Sequence, residues 1–219
     1  EIDVQNAQAD QSNLSTISDR FVANKVDLVL AIATPAAQSI AGKTKDIPIL
    51  GTAITDYEAA KLVESNEAPG GNVTGTTDMN PIKEQIDLLV KLVPDAKTVG
   101  VIYTSSEDNS IVQAAIAKEA IEALGLNYTE VTITSSNDVQ QAIQSLVEKC
   151  DAIYLPTDNV LASSMPIISG ITIESKTPVI CGEAGMVSGG GLATLGIDYY
   201  DLGYKTGLMA IKILKGEAE

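Results

Sequence analysis

Histidine is absent from this chain of 219 residues, and cysteine occurs only at Cys150 and Cys181. Chemistry must therefore come from hydroxyls, amides, carboxylates and backbone groups, and these gather where apolar runs end. Ala33-Thr34-Pro35-Ala36-Ala37-Gln38 reads as a helix start. Thr34 can cap it, Pro35 suits the first turn, and the small side chains of Ala36 and Ala37 let an anion such as a carboxylate approach the free N–H groups. Thr55 and Asp56 end the next apolar run, where they either meet a ligand or close a turn. Tyr103-Thr104-Ser105-Ser106-Glu107-Asp108-Asn109-Ser110 is too long and too polar for a minimal turn, and Ser105, Asp108 and Asn109 are its candidates for ligand contact. A fourth group comprises Thr157, Asp158, Asn159, Glu183 and Asp198. Asp158 or Glu183 could pair with a ligand ammonium through a charge-assisted hydrogen bond, whereas Asp198, like Asp78, is expected near the connections between lobes.

Several function classes fall away. Without histidine the usual general base is missing, and a serine nucleophile has nothing to activate it. Gly189-Gly190-Gly191 lacks the Lys-Ser/Thr of a phosphate loop, and the spacing of Cys150 and Cys181 fits no zinc motif, so neither metal nor cofactor is called for. A formal charge of −15 repels phosphate backbones and disfavours nucleic acid as a partner. No apolar run approaches the ~20 residues of a membrane span. Hydrophobic residues at 45% support a real core, but aromatics at 4% mean that Ile, Val, Leu and Ala must build it. Tyr57, Tyr103, Tyr154 and Tyr199 are the candidates for stacking on an aromatic ligand.

The elements that position these residues alternate β and α. Strands are expected at 27–33, 47–51, 73–76, 97–103, 127–133, 151–155, 177–181 and 192–196, and helices at 12–24, 35–43, 81–92, 109–124, 136–149, 158–174 and 199–215. Near-continuous apolar strands between amphipathic helices imply parallel sheets covered on both faces. Asn80-Pro81 reads as a cap and first-turn proline, and Ser110 with Gln113 as a capping box. The helix that follows is expected to bury Ile111, Ala114, Ala115, Ala117 and Ile121 and to stop at Gly125.

The chain also resembles itself. Asp27–Thr34 matches Asp151–Thr157, Ile47–Gly51 matches Thr177–Gly182, and Gly70–Asp78 matches Gly189–Asp198, in the same order. Two copies of one α/β unit would face their loop-rich strand ends toward a shared cleft, the arrangement of a clamp closing on a small ligand.

Ala33-Thr34-Pro35-Ala36-Ala37-Gln38, Ala53-Ile54-Thr55-Asp56, Gly70-Gly71-Asn72-Val73-Thr74-Gly75, Ser105-Ser106-Glu107-Asp108-Asn109-Ser110 and Asp201-Leu202-Gly203 together resemble the ABC-transporter substrate-binding proteins related to tryptophan-binding lipoproteins. The wider fold resembles the class I periplasmic binding proteins and the effector domains of LacI-type repressors. The resemblance implies two Rossmann-like lobes joined by three crossing segments. Lobe one would hold 1–77 and 184–197, lacking its first strand and helix, and lobe two would hold 78–183 and 198–219. It also implies a free amino acid as ligand, often aromatic, an ABC permease in the membrane as partner, and an extracytoplasmic parent protein, either periplasmic or a membrane-anchored lipoprotein. Thr34 to Ala37 and Thr55 would meet the ligand carboxylate, and Asp158, with Asn109 or Glu183, the ammonium. A ligand-sensing domain of a LacI-like regulator or receptor is the alternative on the same fold, and a Rossmann-like enzyme lacks a fingerprint here.

Overall fold

The computed structural model describes residues 1–217; positions 218 and 219 of the expected span 198–219 lie outside the described residues. In chain order the elements are α1 (Gln11–Ala23), β1 (Val29–Ile32), α2 (Thr34–Ala41), β2 (Ile49–Ile54), β3 (Val73–Thr77), α3 (Ile82–Leu92), β4 (Thr98–Thr104), α4 (Asp108–Ala123), β5 (Asn127–Ile133), a 3-10 turn (Ser136–Asp138), α5 (Val139–Val147), β6 (Ala152–Leu155), α6 (Asn159–Ser163), α7 (Met165–Ser175), β7 (Val179–Cys181), α8 (Ala184–Ser188) and α9 (Tyr199–Leu214). They form two compact units, Glu1–Met79 with Asp198–Glu219, and Asn80–Ile197.

Unit 1 is built on a parallel sheet of order β1-β2-β3. Val29 and Ala31 of β1 point into a core with Ala37, Ile40, Ile49 and Val73, while Leu30 and Ile32 on the opposite face are exposed. This is the two-residue period of a strand with one covered face. Gly75 pairs with Gly51 across β2 and β3, and a Cβ on Gly75 (φ +155°) would overlap the Gly51 carbonyl oxygen. Only glycine allows that approach. Helix α9 packs on β2 and β3, and the hydroxyls of Thr206 and Thr76 lie 2.7 Å apart.

Unit 2 carries a four-stranded parallel sheet of order β5-β4-β6-β7. Ile102, Ile143, Leu146, Ile153, Leu155 and Ile168 are fully buried in its core. The amide of Gln85 in α3 ties distant parts together. It accepts from the Tyr154 hydroxyl at 2.7 Å and donates to the carbonyls of Gly182 (3.1 Å) and Leu195 (2.8 Å).

The internal likeness is visible in the topology. β1 and β2 are parallel neighbours, as are β6 and β7, and β3 beside β2 has its counterpart in Ala193, which bridges Ile180 of β7. The strand expected at 192–196 is therefore reduced to one bridge, and the short helix α8 precedes it. Each third segment ends where the chain changes unit, after Met79 and after Ile197.

Several expectations need correction. The chain changes unit twice, and 184–197 belongs with unit 2 because Cys181 N–H donates to the Ala193 carbonyl (3.0 Å) and Leu192 N–H to that of Val179 (2.8 Å). Residues 198–214 belong with unit 1 through the α9 packing on β2 and β3. Helix α3 begins at Ile82 with Pro81 at its N-cap and no capping side chain, so Asn80 is not the cap. Helix α4 begins at Asp108, which puts Ser110 and Gln113 inside the helix, where they cannot form a capping box. Ala114, Ala117 and Ile121 are buried as expected, but Ile111 and Ala115 face solvent. The stretch 158–174 is two helices, broken at Ser164 ahead of Pro166.

Candidate functional site

The candidate residues collect at the carboxyl ends of strands in both units, the edge where open α/β sheets bind ligands. In unit 1, Ala33 links β1 to α2 with φ 76° and ψ 152°, a backbone region in which non-glycine residues are strained. Thr34 then starts α2 buried, Pro35 sits in its first turn, Ala37 is fully buried, and no side chain caps the helix. The first turn is thus small, tightly placed and uncapped, the chemistry of an anion-binding helix end.

Thr55 and Asp56 follow β2 but do different work. Thr55 is buried and donates to Asp78 Oδ1 (3.2 Å), whose Oδ2 accepts from the Tyr199 hydroxyl (2.9 Å). Burial pushes the Asp78 carboxyl above the usual range, and these two donors only partly oppose it. Asp56 accepts from the Ala59 amide and from Asn66, both at 3.0 Å, and so organises its own loop. Burial works against its ionised form, but these hydrogen bonds win and hold its pKa below the usual range.

In unit 2 the loop after β4 and the loop after β6 share one buried polar network. Glu107 at the N-cap of α4 is 6% exposed, and its Oε2 accepts from the Asn159 amide (3.1 Å), Asn159 Nδ2 (2.9 Å), Asn109 Nδ2 (3.1 Å) and Ser110 Oγ (3.4 Å). Burial, and then the charge of Asp158, push the Glu107 carboxyl upward, and the Asn159 and Asn109 donors pull against that. Gln113 clasps Thr157 by accepting from its amide (3.1 Å) and hydroxyl (2.7 Å) and donating to its carbonyl (3.3 Å). Ser105 Oγ donates to the Ile133 carbonyl, and Asp108 is half-buried in the first turn of α4.

Asp158 is 2% exposed and fully engaged with the protein. It accepts from the Thr104 amide (2.7 Å), the Thr104 hydroxyl (2.9 Å) and the Leu161 amide (2.9 Å), capping α6 and fastening it to the end of β4. Glu183 accepts from the Gly185 and Met186 amides at the N-cap of α8, and Asp198 from the Tyr200 and Asp201 amides at the N-cap of α9. These three carboxylates follow strand or strand-like ends, as the sequence implied, but each serves the start of its own helix. Asp198 lies in unit 1. Of the tyrosines, Tyr154 is fully buried and bonded to Gln85, and Tyr57 is buried with its hydroxyl on the Thr76 carbonyl (2.9 Å), so neither presents a face for stacking. Tyr103 is half-buried on β4.

Glu107 and Thr104 are structural members that residue patterns did not single out, and Gln113, Asp78 and Tyr199 take roles other than those expected of them. Glu107 lay in a marked loop, where only its four donors distinguish it from its neighbours. Cys150 and Cys181 are free, and burial pushes their thiols up to about 11 and about 12. Among the described residues no group of three or more His, Cys, Asp or Glu side chains could hold a metal, and no helix is long and apolar enough to cross a membrane.

Comparison with known proteins agrees along the whole chain. A family model described as ABC transporter substrate binding protein matches residues 1–219. A tyrosine-binding protein of Clostridioides difficile is 48% identical over 217 residues, 99% of this chain and 63% of that protein. The chain thus spans under two thirds of that relative's length. The crystal structure of an ABC domain from Streptococcus pneumonia in complex with L-Trp is 44% identical, with a TM-score of 0.96 over 99% of this chain and 73% of that one. A LacI-family regulator from Bifidobacterium animalis, at 15% identity and a TM-score of 0.61, shares the fold alone.

Proposed function

This chain belongs to the ABC transporter substrate-binding proteins, a family of binding proteins rather than enzymes, and from that premise we propose that it holds a free amino acid, aromatic in character, for an ABC importer. The observation that carries the reading is the start of α2. Strained Ala33, buried Thr34 and an uncapped first turn of small residues form a seat for a carboxylate. The tyrosine in the name of one relative and the L-Trp bound to another support an aromatic α-amino acid as its bearer. Thr34, Pro35, Ala36, Ala37 and Thr55 are the contacts proposed for the carboxylate, and Ser105, Asp108, Asn109 and Asn159 are further proposed contacts.

Ligand binding by such a protein stabilises the binding-competent form by its differential affinity, and delivery then requires a permease partner at the outer face of a membrane. An extracytoplasmic location follows from that role. Isothermal titration against L-tyrosine, L-tryptophan and a panel of other amino acids tests the proposal. We expect saturable binding of at least one aromatic amino acid, weakened at least tenfold by Ala36→Asp, which places a like charge against the ligand carboxylate. Absence of binding across the panel refutes the reading.

A further inference from the structure

The buried network of unit 2 contains acceptors that the protein itself leaves unused. All four donors to Glu107 converge on Oε2, so Oε1 accepts no hydrogen bond. Asn109 is 7% exposed, and its Nδ2 faces three acceptors, Glu107 Oε2, Ser110 Oγ and the Thr157 carbonyl. That surround fixes which end of the amide is nitrogen, because the reverse orientation would turn its oxygen toward a carboxylate and a carbonyl. Its Oδ1 is buried and has no hydrogen-bond partner. Both amide heteroatoms share one carbon, so this orphan acceptor is held beside the same carboxylate.

Asp158 adds a second buried negative charge nearby, which acts on Glu107 electrostatically. The ion pairs of the described residues, Arg20–Asp3, Lys43–Asp19 and Lys205–Asp201, all lie elsewhere, so neither buried carboxylate meets a cation of the protein. A buried acceptor without a partner is costly, and Asn109 Oδ1 is one, whereas Glu107 Oε1 beside it keeps access to solvent and so to a ligand. No third His, Cys, Asp or Glu stands with the two carboxylates, and both oxygens of Asp158 are taken by the protein's own donors, so the set does not suit a metal ion. A primary ammonium, with three donors in a compact head, does suit it.

We propose that Glu107 Oε1 and Asn109 Oδ1 form the subsite for the ligand's α-ammonium, so that the protein selects free α-amino acids over analogues lacking the amino group. This rests on the amino-acid reading above and assigns its specificity to Glu107, while Asp158 acts only through the field it exerts there. A site that hydrogen-bonds a ligand N–H discriminates strongly against the analogue without it, because its own buried acceptors are then left unpaired.

Glu107→Gln is a selective probe. The four donors crowding Oε2 hold the glutamine oxygen at that position, which puts its NH2 where Oε1 stood and turns the one open acceptor into a donor. Titrate wild type and E107Q with L-tyrosine, L-tryptophan and their deamino analogues, 3-(4-hydroxyphenyl)propionate and indole-3-propionate. Wild type is expected to prefer the amino acids at least 100-fold, and E107Q to lose at least tenfold in affinity for them without losing affinity for the deamino acids. The wild-type comparison needs no variant and stands even if E107Q fails to fold. Equal binding of amino and deamino ligands by wild type overturns the subsite, with the orphan oxygen then satisfied by water, and leaves the amino-acid reading standing. Unchanged discrimination in a folded E107Q likewise overturns the role of Glu107. Binding of neither class by wild type removes the amino-acid reading and the subsite with it.

Discussion

Replacing Asp158 by alanine tests whether this carboxylate serves the ligand or the fold. Its three hydrogen bonds, two to Thr104 and one to the Leu161 amide, are between 2.7 and 2.9 Å and fully buried. Hydrogen bonds to a charged group contribute about 1.5–3 kcal/mol each, and loss of an N-cap alone costs about 1 kcal/mol. Removing the side chain orphans two buried amides and a buried hydroxyl, but it also relieves the repulsion that Asp158 exerts on Glu107. The balance is a loss of about 3 kcal/mol, which for a unit of this size lowers Tm by roughly 10 °C. Asp158→Asn keeps one oxygen for the Thr104 hydroxyl and the Leu161 amide but sets an NH2 against the Thr104 N–H, so about half the loss is expected. Thermal and urea unfolding followed by circular dichroism, with the two units fitted as separate transitions, measures both. Stability of Asp158→Ala within 0.5 kcal/mol of wild type, together with a tenfold loss of amino-acid affinity, would show that the carboxylate faces the ligand and that the structural argument fails.

Two more outcomes follow from unit 1. Burial raises the Asp78 carboxyl in the native state, so the folded form binds its proton more tightly than the unfolded chain does. The associated stability is complete below the unfolded value near 3.9 and is lost as pH rises through the raised native value. Asp78→Asn removes this dependence, and the Tm of the variant relative to wild type should climb as pH is raised from 4 to neutrality (roughly the window set by the unfolded value); a constant difference would refute it. Ala33→Gly should stabilise unit 1 by roughly 1 kcal/mol, because glycine tolerates the φ of 76° that strains alanine. A destabilised glycine variant in urea titration would mean that the Ala33 methyl contributes packing that outweighs the strain.

Most of the elements could be read from residue patterns because their periods are set by local physics. The strand at 127–133 matches β5 to the residue, and the helices at 12–24 and 81–92 fall within a residue of α1 and α3. Where local rules competed with packing, the patterns misled. Ser110 and Gln113 have the spacing of a capping box, but α4 starts two residues earlier, and both side chains turn inward to Glu107 and Thr157. Residues 192–196 have strand composition, yet only Ala193 finds a partner.

The candidate site divides the same way. The absence of histidine, the motif order and the polar runs after apolar strands were enough to single out strand ends and the start of α2 as candidates, because residue type and chain order carry that information. Which carboxylates keep an oxygen without a protein donor was not in the sequence. Asp158, Glu183 and Asp198 are chemically equal to Glu107 as residues, but hydrogen bonding depends on which amides lie within 3 Å, and the amides reaching Asp158 from Thr104 and Glu107 from Asn159 come from more than fifty positions away. Likewise, only packing on β2 and β3 could assign α9 to unit 1, since the chain leaves that unit after Met79 and returns at Asp198.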